Sequence, residues 1–131
     1  MSINGLAGKP AIVGVGTTPY GRLPEYDQYD LGAWALKNAL DDSGLTLGDI
    51  DGLIVSRIAD YQRFGEMLGL NPRFTAQLPG QGRMAGIAVQ QAAMAVATGM
   101  ASVVAIVYGN NGRSSHDRYG GEGDQYGSGG A

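Results

Sequence analysis

The spacing of hydrophobic positions changes several times along the chain, and each change predicts a new element of secondary structure. Continuous apolar residues over 10–15 and 53–56 predict two strands, because such runs suit a sheet covered on both faces. Between them, apolar residues recur at helical spacing over 31–43. Asp30 is a suitable N-cap for this helix, and Gly44 suits a left-handed C-cap.

The same analysis predicts four further elements before residue 109. They are a short helix over 60–68, an alternating strand over 74–78, a long helix over 83–98 and a strand over 103–108. Strands that alternate with helices predict an α/β fold of βαβαβ layers, with a largely parallel sheet covered by helices. Met94 and Met100 are expected to fill the core.

The last part of the chain, 109–131, keeps no apolar pattern and is rich in glycine and tyrosine. Such a segment buries too little apolar surface to offset the entropy lost on ordering. No closing element follows the strand at 103–108. We therefore expect the chain to be the front of a larger protein, with an α/β region over 1–108 and a loop over 109–131 that leads to a second half.

Composition excludes several classes of function. The chain has no cysteine and one histidine, so we expect no disulfide, no thiolate and no metal site. Nine Lys and Arg against twelve Asp and Glu, without a basic block, argue against nucleic-acid binding. Residues 84–112 are uncharged, but Gln90, Gln91 and Gly99 interrupt them, which favours a buried helix, a turn and a strand over a membrane span. With no signal peptide at the start, we expect a cytoplasmic protein without membrane association.

The turn before the long helix is a candidate binding site. Gln81, Gly82 and Arg83 stand where the free amides of a helix N-terminus form a pocket for an anion or oxyanion. A cation in the first turn opposes the helix dipole, so Arg83 suggests an acidic partner or an anionic ligand. The alternative is a solvent-exposed arginine on a turn relaxed by glycine.

Three residues of the tail are weak catalytic candidates. His116 could act as acid or base, and Tyr119 and Tyr126 could donate protons to a developing oxyanion. The alternative is that the tyrosines only pack against a ligand or an interface.

A glycine pair near the start of the chain has two interpretations. Gly14 and Gly16 suggest a dinucleotide-binding loop, but that fingerprint needs a third glycine where Pro19 stands and a helix directly after it. A tight turn at the end of a strand is the better interpretation.

Two ordered groups of segments resemble the thiolase superfamily over most of residues 10–110. The first group comprises Ala11-Ile-Val-Gly-Val-Gly-Thr-Thr-Pro-Tyr-Gly, Ala35-Leu-Lys-Asn-Ala-Leu-Asp-Asp-Ser-Gly-Leu and Asp49-Ile-Asp-Gly-Leu-Ile-Val. The second comprises Ala88-Val89, Gln91-Ala-Ala, Ala97-Thr-Gly99 and Ala101-Ser-Val-Val-Ala-Ile-Val-Tyr-Gly109. With its tail, the chain is most similar to the lipid-transfer-protein branch, which holds sterol-carrier-type thiolases and thiolase-like aldolases.

The resemblance implies an architecture and partners. The thiolase fold has two similar halves, of which this chain would supply most of the N-terminal one. Family members are typically homodimers, often with a small zinc-ribbon/OB-fold partner protein, and the strand at 74–78 would line the dimer interface. The implied substrate is an acyl-CoA thioester, with no bound cofactor.

One departure from the family pattern bears on the chemistry. Aligned on Ala97-Thr-Gly99, the position of the thiolase cysteine falls on Gly82, which cannot be acylated. The resemblance then implies an aldolase that cleaves a β-hydroxyacyl-CoA by a retro-aldol reaction, with the enolate held at the helix N-terminus. Tyrosines of the second half would handle the protons, so this chain alone is expected to be inactive. The alternatives are an acetyl-CoA acyltransferase-like protein and a non-catalytic subunit that binds acyl-CoA or lipid.

Overall fold

A three-stranded parallel sheet forms the centre of the computed structural model, which describes residues 6–78 and 84–115. The strands are β1 Gly52–Ser56, β2 Phe74–Leu78 and β3 Val104–Tyr108. Their order is β2-β1-β3, so β1 pairs with both neighbours. The α/β class, these three strands and their parallel arrangement are confirmed.

Helices connect the strands and cover the sheet. They are α1 Gln28–Ser43, α2 Tyr61–Leu68, α3 Met84–Ala97 and the short α4 Gly112–Ser115, with one 3₁₀ turn over Leu47–Asp49. The first three helices confirm the predicted ones. No element was predicted where α4 lies, because a single turn leaves no periodic pattern in the sequence.

The start of α1 differs from the prediction. Asp27, and not Asp30, is the N-cap: its Oδ1 accepts a hydrogen bond from the Asp30 amide at 2.9 Å. In turn, Asp30 Oδ2 accepts a hydrogen bond from the Asp27 amide at 3.2 Å, and the two hydrogen bonds form a capping box. The helix begins earlier because Tyr29 is buried and extends the apolar face by about one turn. Gly44, with φ +74°, ends the helix as predicted.

The core surrounds β1, whose five residues are all buried. Leu53 and Val55 pack in one cluster with residues from α1, α2 and β3. This arrangement explains the unbroken apolar run over 53–56, since a central parallel strand is covered on both faces. The other buried members of the cluster are Tyr29, Leu36, Ile50, Ile58, Phe64, Ala105 and Val107.

The strand predicted over 10–15 is wrong. Residues 10–19 belong to no helix or strand, and Ile12, for example, is 77% exposed. Their polar groups bond to α1 instead: the Val15 amide donates to Asp42 Oδ2 at 2.9 Å, and Asn38 Nδ2 donates to the Thr17 carbonyl at 2.8 Å. A backbone amide or carbonyl that is hydrogen-bonded to a side chain of α1 is not available to pair with a neighbouring strand.

Close approach to α1 explains the glycine pair, and the tight-turn interpretation is wrong. Neither Gly14 nor Gly16 has a positive φ. A Cβ on Gly14 would lie 2.5 Å from the carbonyl oxygen of Ala39, and one on Gly16 would overlap backbone atoms of Ala35 and Ala39. The glycines let the segment lie directly against the helix.

Helix α3 carries apolar residues on the outside of this structure. It buries Ala88 and Ala95, while Val89 is 45% and Met94 48% exposed. Met100, just after the helix, is 55% exposed. The prediction that Met94 and Met100 fill the core is therefore wrong, because nothing in the described chain packs over them.

The carboxylate of Asp51 joins the starting points of the strands. Its Oδ1 accepts hydrogen bonds from the amides of Ser102 and Val103, both at 2.8 Å, just before β3. Its Oδ2 lies 3.3 Å from Arg73 Nε, and its carbonyl accepts from the Arg73 amide at 2.9 Å, just before β2. The Val103 hydrogen bond, with smaller contributions from Ser102 and Arg73, lowers the pKa of Asp51.

We predict that Gly16→Ala destabilises the fold. The new Cβ would clash with the α1 backbone, and overpacking of this kind costs about 1–3 kcal/mol. Urea unfolding of the full chain measures the loss. Gly48→Ala is the matched control, because the nearest atom to its Cβ would be Thr46 Oγ1 at 3.7 Å. Equal midpoints for the two variants would refute the close-approach explanation.

We also predict that Asp51→Asn destabilises the protein at neutral pH by about 1 kcal/mol, through loss of charge-assisted hydrogen bonds at a partly exposed site. A carboxyl whose pKa is lowered by folding stabilises the folded state above its unfolded pKa of about 3.9. That contribution disappears as the pH falls through the lower folded-state pKa.

The measurement for Asp51 is the free energy of unfolding of wild type and variant between neutral and strongly acid pH. The difference between the two should shrink as Asp51 is protonated. Asp41→Asn is the control, because Asp41 forms an exposed ion pair with Lys37 and its loss should have little effect. A difference independent of pH would contradict the assignment.

Candidate functional site

The residues that the sequence singled out lie outside the described part of the chain. Strand β2 ends at Leu78 and α3 begins at Met84. The candidate pocket residues therefore stay predictions, as do the three catalytic candidates of the tail. They are Gln81, Gly82, Arg83, His116, Tyr119 and Tyr126.

The three strands all end at the same edge of the sheet. Ser56 of β1 is in register with Leu78 of β2 and with Tyr108 of β3. In open parallel α/β sheets, ligands bind beyond the carboxyl ends of the strands. Strand β2 reaches this edge at Leu78, and the segments after β1 and β3 start beside it.

Arg57, directly after β1, has an unusual backbone. Its φ is 63°, and it is the only non-glycine residue with a positive φ in residues 6–78 and 84–115. Its exposed fraction is only 9%. A left-handed conformation costs a residue with a side chain about 1–3 kcal/mol, and such strain is concentrated at functional sites.

Arg57 lines a small cavity together with the segment after β3. The cavity of about 20 Å³ is bounded by Gln28, Arg57, Asn110 and Asn111. This volume suffices for about one water molecule. Arginine supplies only donors to such a space, while the three amides offer both donors and acceptors. The cavity is thus suited to a polar occupant or to direct contacts among its walls.

A glycine brings the end of β3 against the start of α1. The Gly109 amide donates to the Ser56 carbonyl at 3.2 Å, which continues the pairing of the two strands. A Cβ on Gly109 would overlap the carbonyl oxygen of Gln28. A side chain at position 109 would therefore separate the walls of the cavity.

Hydrogen bonds also hold the segment that follows. Asn110 Nδ2 donates to Tyr108 Oη at 3.1 Å, and Asn110 Oδ1 accepts from the Gly112 amide at 2.8 Å. Ser114 Oγ of α4 accepts from the Leu23 amide at 2.7 Å. These hydrogen bonds, and above all the one to Leu23, supply contacts that the apolar pattern of the sequence from Gly109 onward does not indicate.

Sequence reasoning missed this cavity for identifiable reasons. A left-handed backbone leaves no signal in the sequence when the residue is an arginine. Asn110 and Asn111 stand in a polar run, which favoured a loop interpretation. The one available signal was their place directly after a strand of a parallel sheet, where α/β sheets carry functional groups.

The parts of the chain that the structure covers contain neither a cluster of possible metal ligands nor a helix suited to cross a membrane. There, no three His, Asp or Glu side chains lie close enough together to hold a metal ion. None of the helices described has both the length and the apolar character needed to cross a membrane.

Two curated proteins show sequence similarity, whereas no protein-family model matches the chain. A 17-hydroxy-3-oxo-4-pregnene-20-carboxyl-CoA lyase of Mycobacterium tuberculosis is 36% identical in an alignment of 117 residues that covers 83% of this chain and 29% of that protein. A steroid side-chain-cleaving aldolase of Thermomonospora curvata is 35% identical in an alignment of 123 residues that covers 88% of this chain and 30% of that protein. The chain thus spans less than a third of the length of these relatives.

Solved structures share the fold. An Ltp2-ChsH2(DUF35) aldolase superposes with a TM-score of 0.72 and 34% identity over 81% of this chain and 28% of its own. A monomeric SCP2-thiolase-like protein type 1 of Mycobacterium smegmatis gives a TM-score of 0.67 at 24% identity, over 79% of this chain and 24% of its own, and so supports the fold alone. The predicted thiolase-like fold is confirmed, and the chain is a homologue of the steroid side-chain-cleaving aldolases of the thiolase-like branch.

Proposed function

We propose that this chain forms part of a thiolase-fold enzyme that cleaves a carbon–carbon bond of a β-hydroxyacyl-CoA by retro-aldol chemistry. The observation that carries the proposal is its similarity, over more than four fifths of its length, to two proteins named as a CoA lyase and an aldolase. One name specifies a pregnene-carboxyl-CoA, and the other specifies a steroid side chain. We extend this to the present chain and propose a CoA thioester with a steroid-like, bulky acyl group.

The proposed reaction is balanced without an added oxidant, reductant or resident cofactor. A base removes the proton of the β-hydroxyl, a carbonyl forms there, and the bond between the α and β carbons breaks. The electron pair passes to the thioester as an enolate, which is then protonated at the α carbon to give a shorter acyl-CoA. A positioned set of hydrogen-bond donors stabilises the enolate oxygen.

Residues of this chain have proposed roles in these steps. The turn with Gln81, Gly82 and Arg83 would hold the enolate oxygen ahead of α3. Glycine at position 82 leaves no nucleophile for a covalent acyl-enzyme, which favours lyase over thiolase chemistry. His116, Tyr119 and Tyr126 are weak candidates for proton transfer, alongside groups from the rest of the enzyme.

We also propose a homodimer with a further small zinc-ribbon/OB-fold partner, located in the cytoplasm. Strand β2 lies at one edge of the sheet with alternating half-buried and exposed positions, so its outer side is open to a second copy. The exposed apolar residues of α3 also need a cover, such as the missing remainder of the fold. The name of the Ltp2-ChsH2(DUF35) aldolase, which joins two components, supports a partner protein.

The test of the proposed activity uses the complete enzyme with its partner and three CoA thioesters of the same acyl skeleton. The β-hydroxy compound should give acyl-CoA and a carbonyl product, measured by chromatography and mass spectrometry. The compound without the hydroxyl should remain intact, because the cleavage begins with loss of the β-hydroxyl proton, which this compound lacks. The β-keto compound with free CoA should remain intact as well.

The three substrates separate the alternatives. Cleavage of the β-keto compound would indicate thiolase chemistry and would refute the lyase proposal. Binding of all three without product would indicate a non-catalytic acyl-CoA-binding protein. Tyr119→Phe and Tyr126→Phe, compared with His116→Ala, then show which proton donors matter, and general acid–base groups typically contribute about 10²–10⁴-fold in rate.

We predict that residues 1–131 expressed alone self-associate. The apolar surface of α3 and the open sheet edges favour contacts between copies. Size-exclusion chromatography with light scattering measures the mass, and Met94→Gln, an exposed site, should reduce association. A monodisperse monomer with cooperative unfolding would show that these surfaces need no cover.

A further inference from the structure

We propose that Arg57 is a positioning residue, which holds the segment Asn110–Asn111 in place beyond the carboxyl ends of β1 and β3. The two segments leave the sheet side by side, because the strands pair in register up to Ser56 and Tyr108. The hydrogen bond from the Gly109 amide to the Ser56 carbonyl extends this pairing by one step. Arg57 and Asn110 then face one cavity.

The backbone of Arg57 indicates that its side chain matters. A glycine would adopt φ +63° without strain, so a structural requirement for the turn alone would favour glycine at this position. An arginine there keeps the strain and also places a cation where only 9% of the residue is exposed. Strain and charge burial are tolerated together where the surrounding structure uses the group.

The side chains around the cavity fit this role. Arginine presents five N–H donors in a rigid planar fork, and amide oxygens are suitable acceptors. Gln28 of α1 and Asn110 and Asn111 of the segment after β3 line the same cavity as Arg57. Arg57 therefore stands where it can link three parts of the chain that are distant in sequence.

A consequence for catalysis depends on the proposed function. The segment after β3 continues through α4, and His116 follows α4 directly in the sequence. The position of residues 109–115 thus sets where the chain enters the region of the proton-transfer candidates. A displaced segment would slow the chemical step and leave binding of the CoA thioester largely intact.

The first experiment measures hydrogen exchange of residues 109–115 in the complete protein, for wild type, Arg57→Gly, Arg57→Met and Arg57→Lys. Loss of the guanidinium should speed exchange about tenfold or more in the glycine and methionine variants, with lysine intermediate. Glycine removes the backbone strain and methionine keeps it, so a change shared by both comes from the side chain. Arg63→Ala is the control, because exposed Arg63 packs over the Tyr29 ring on α1.

The second experiment measures kinetics with the β-hydroxyacyl-CoA. In the glycine and methionine variants, kcat should fall about tenfold or more while KM stays within about threefold, and lysine should recover part of kcat. If the hydrogen-exchange rates of residues 109–115 in both variants stay within about twofold of the wild-type rates, the proposal is overturned. A wild-type enzyme without lyase activity would refute the proposed function instead, and the exchange result would still decide the role of Arg57.

Discussion

The carboxylate of Asp51 is the interaction on which the geometry of the sheet depends. It stands before the central strand and bonds to the residues that precede both neighbouring strands, through the amides of Ser102 and Val103 and through Arg73. With the amino ends fixed, three strands of equal length end in register at Ser56, Leu78 and Tyr108. The hydrogen bonds at the amino ends of the strands therefore also set the positions of their carboxyl ends, where the candidate cavity lies.

The part of the fold that the sequence predicted well is the part governed by local chemistry. The buried strand at 53–56 and the left-handed cap Gly44 follow from residue type and spacing. The errors occur where tertiary contacts decide. The apolar run at 10–15 has strand character, but the Val15 amide bonds to Asp42 of α1, and the Thr17 carbonyl just beyond the run bonds to Asn38. Met94 is apolar, yet it is 48% exposed in the described part of the chain.

At the candidate site, the sequence predicted fewer of the residues that the structure brings together. The resemblance to thiolases pointed to the turn around Gly82, and the described structure brings β2 and α3 to either end of that turn. Arg57 could not be found in this way, because a strained φ is a property of the folded backbone and not of the residue type. The sequence did not indicate Asn110 for another reason. A polar segment that is ordered by hydrogen bonds has the same amino-acid composition as a disordered one, so composition does not distinguish the two.

The hydrogen bond between Ser114 Oγ and the Leu23 amide joins residues 91 positions apart, almost the whole described chain. The central strand likewise gains its second neighbour only when β3 is available. Contacts of such long sequence separation form late and slowly in folding. During synthesis, β1 and β2 emerge from the ribosome well before β3 and α4, and an open edge of β1 is then exposed. Within the described part of the chain, the site edge is thus completed last, and the unpaired edge of β1 in this intermediate favours premature association.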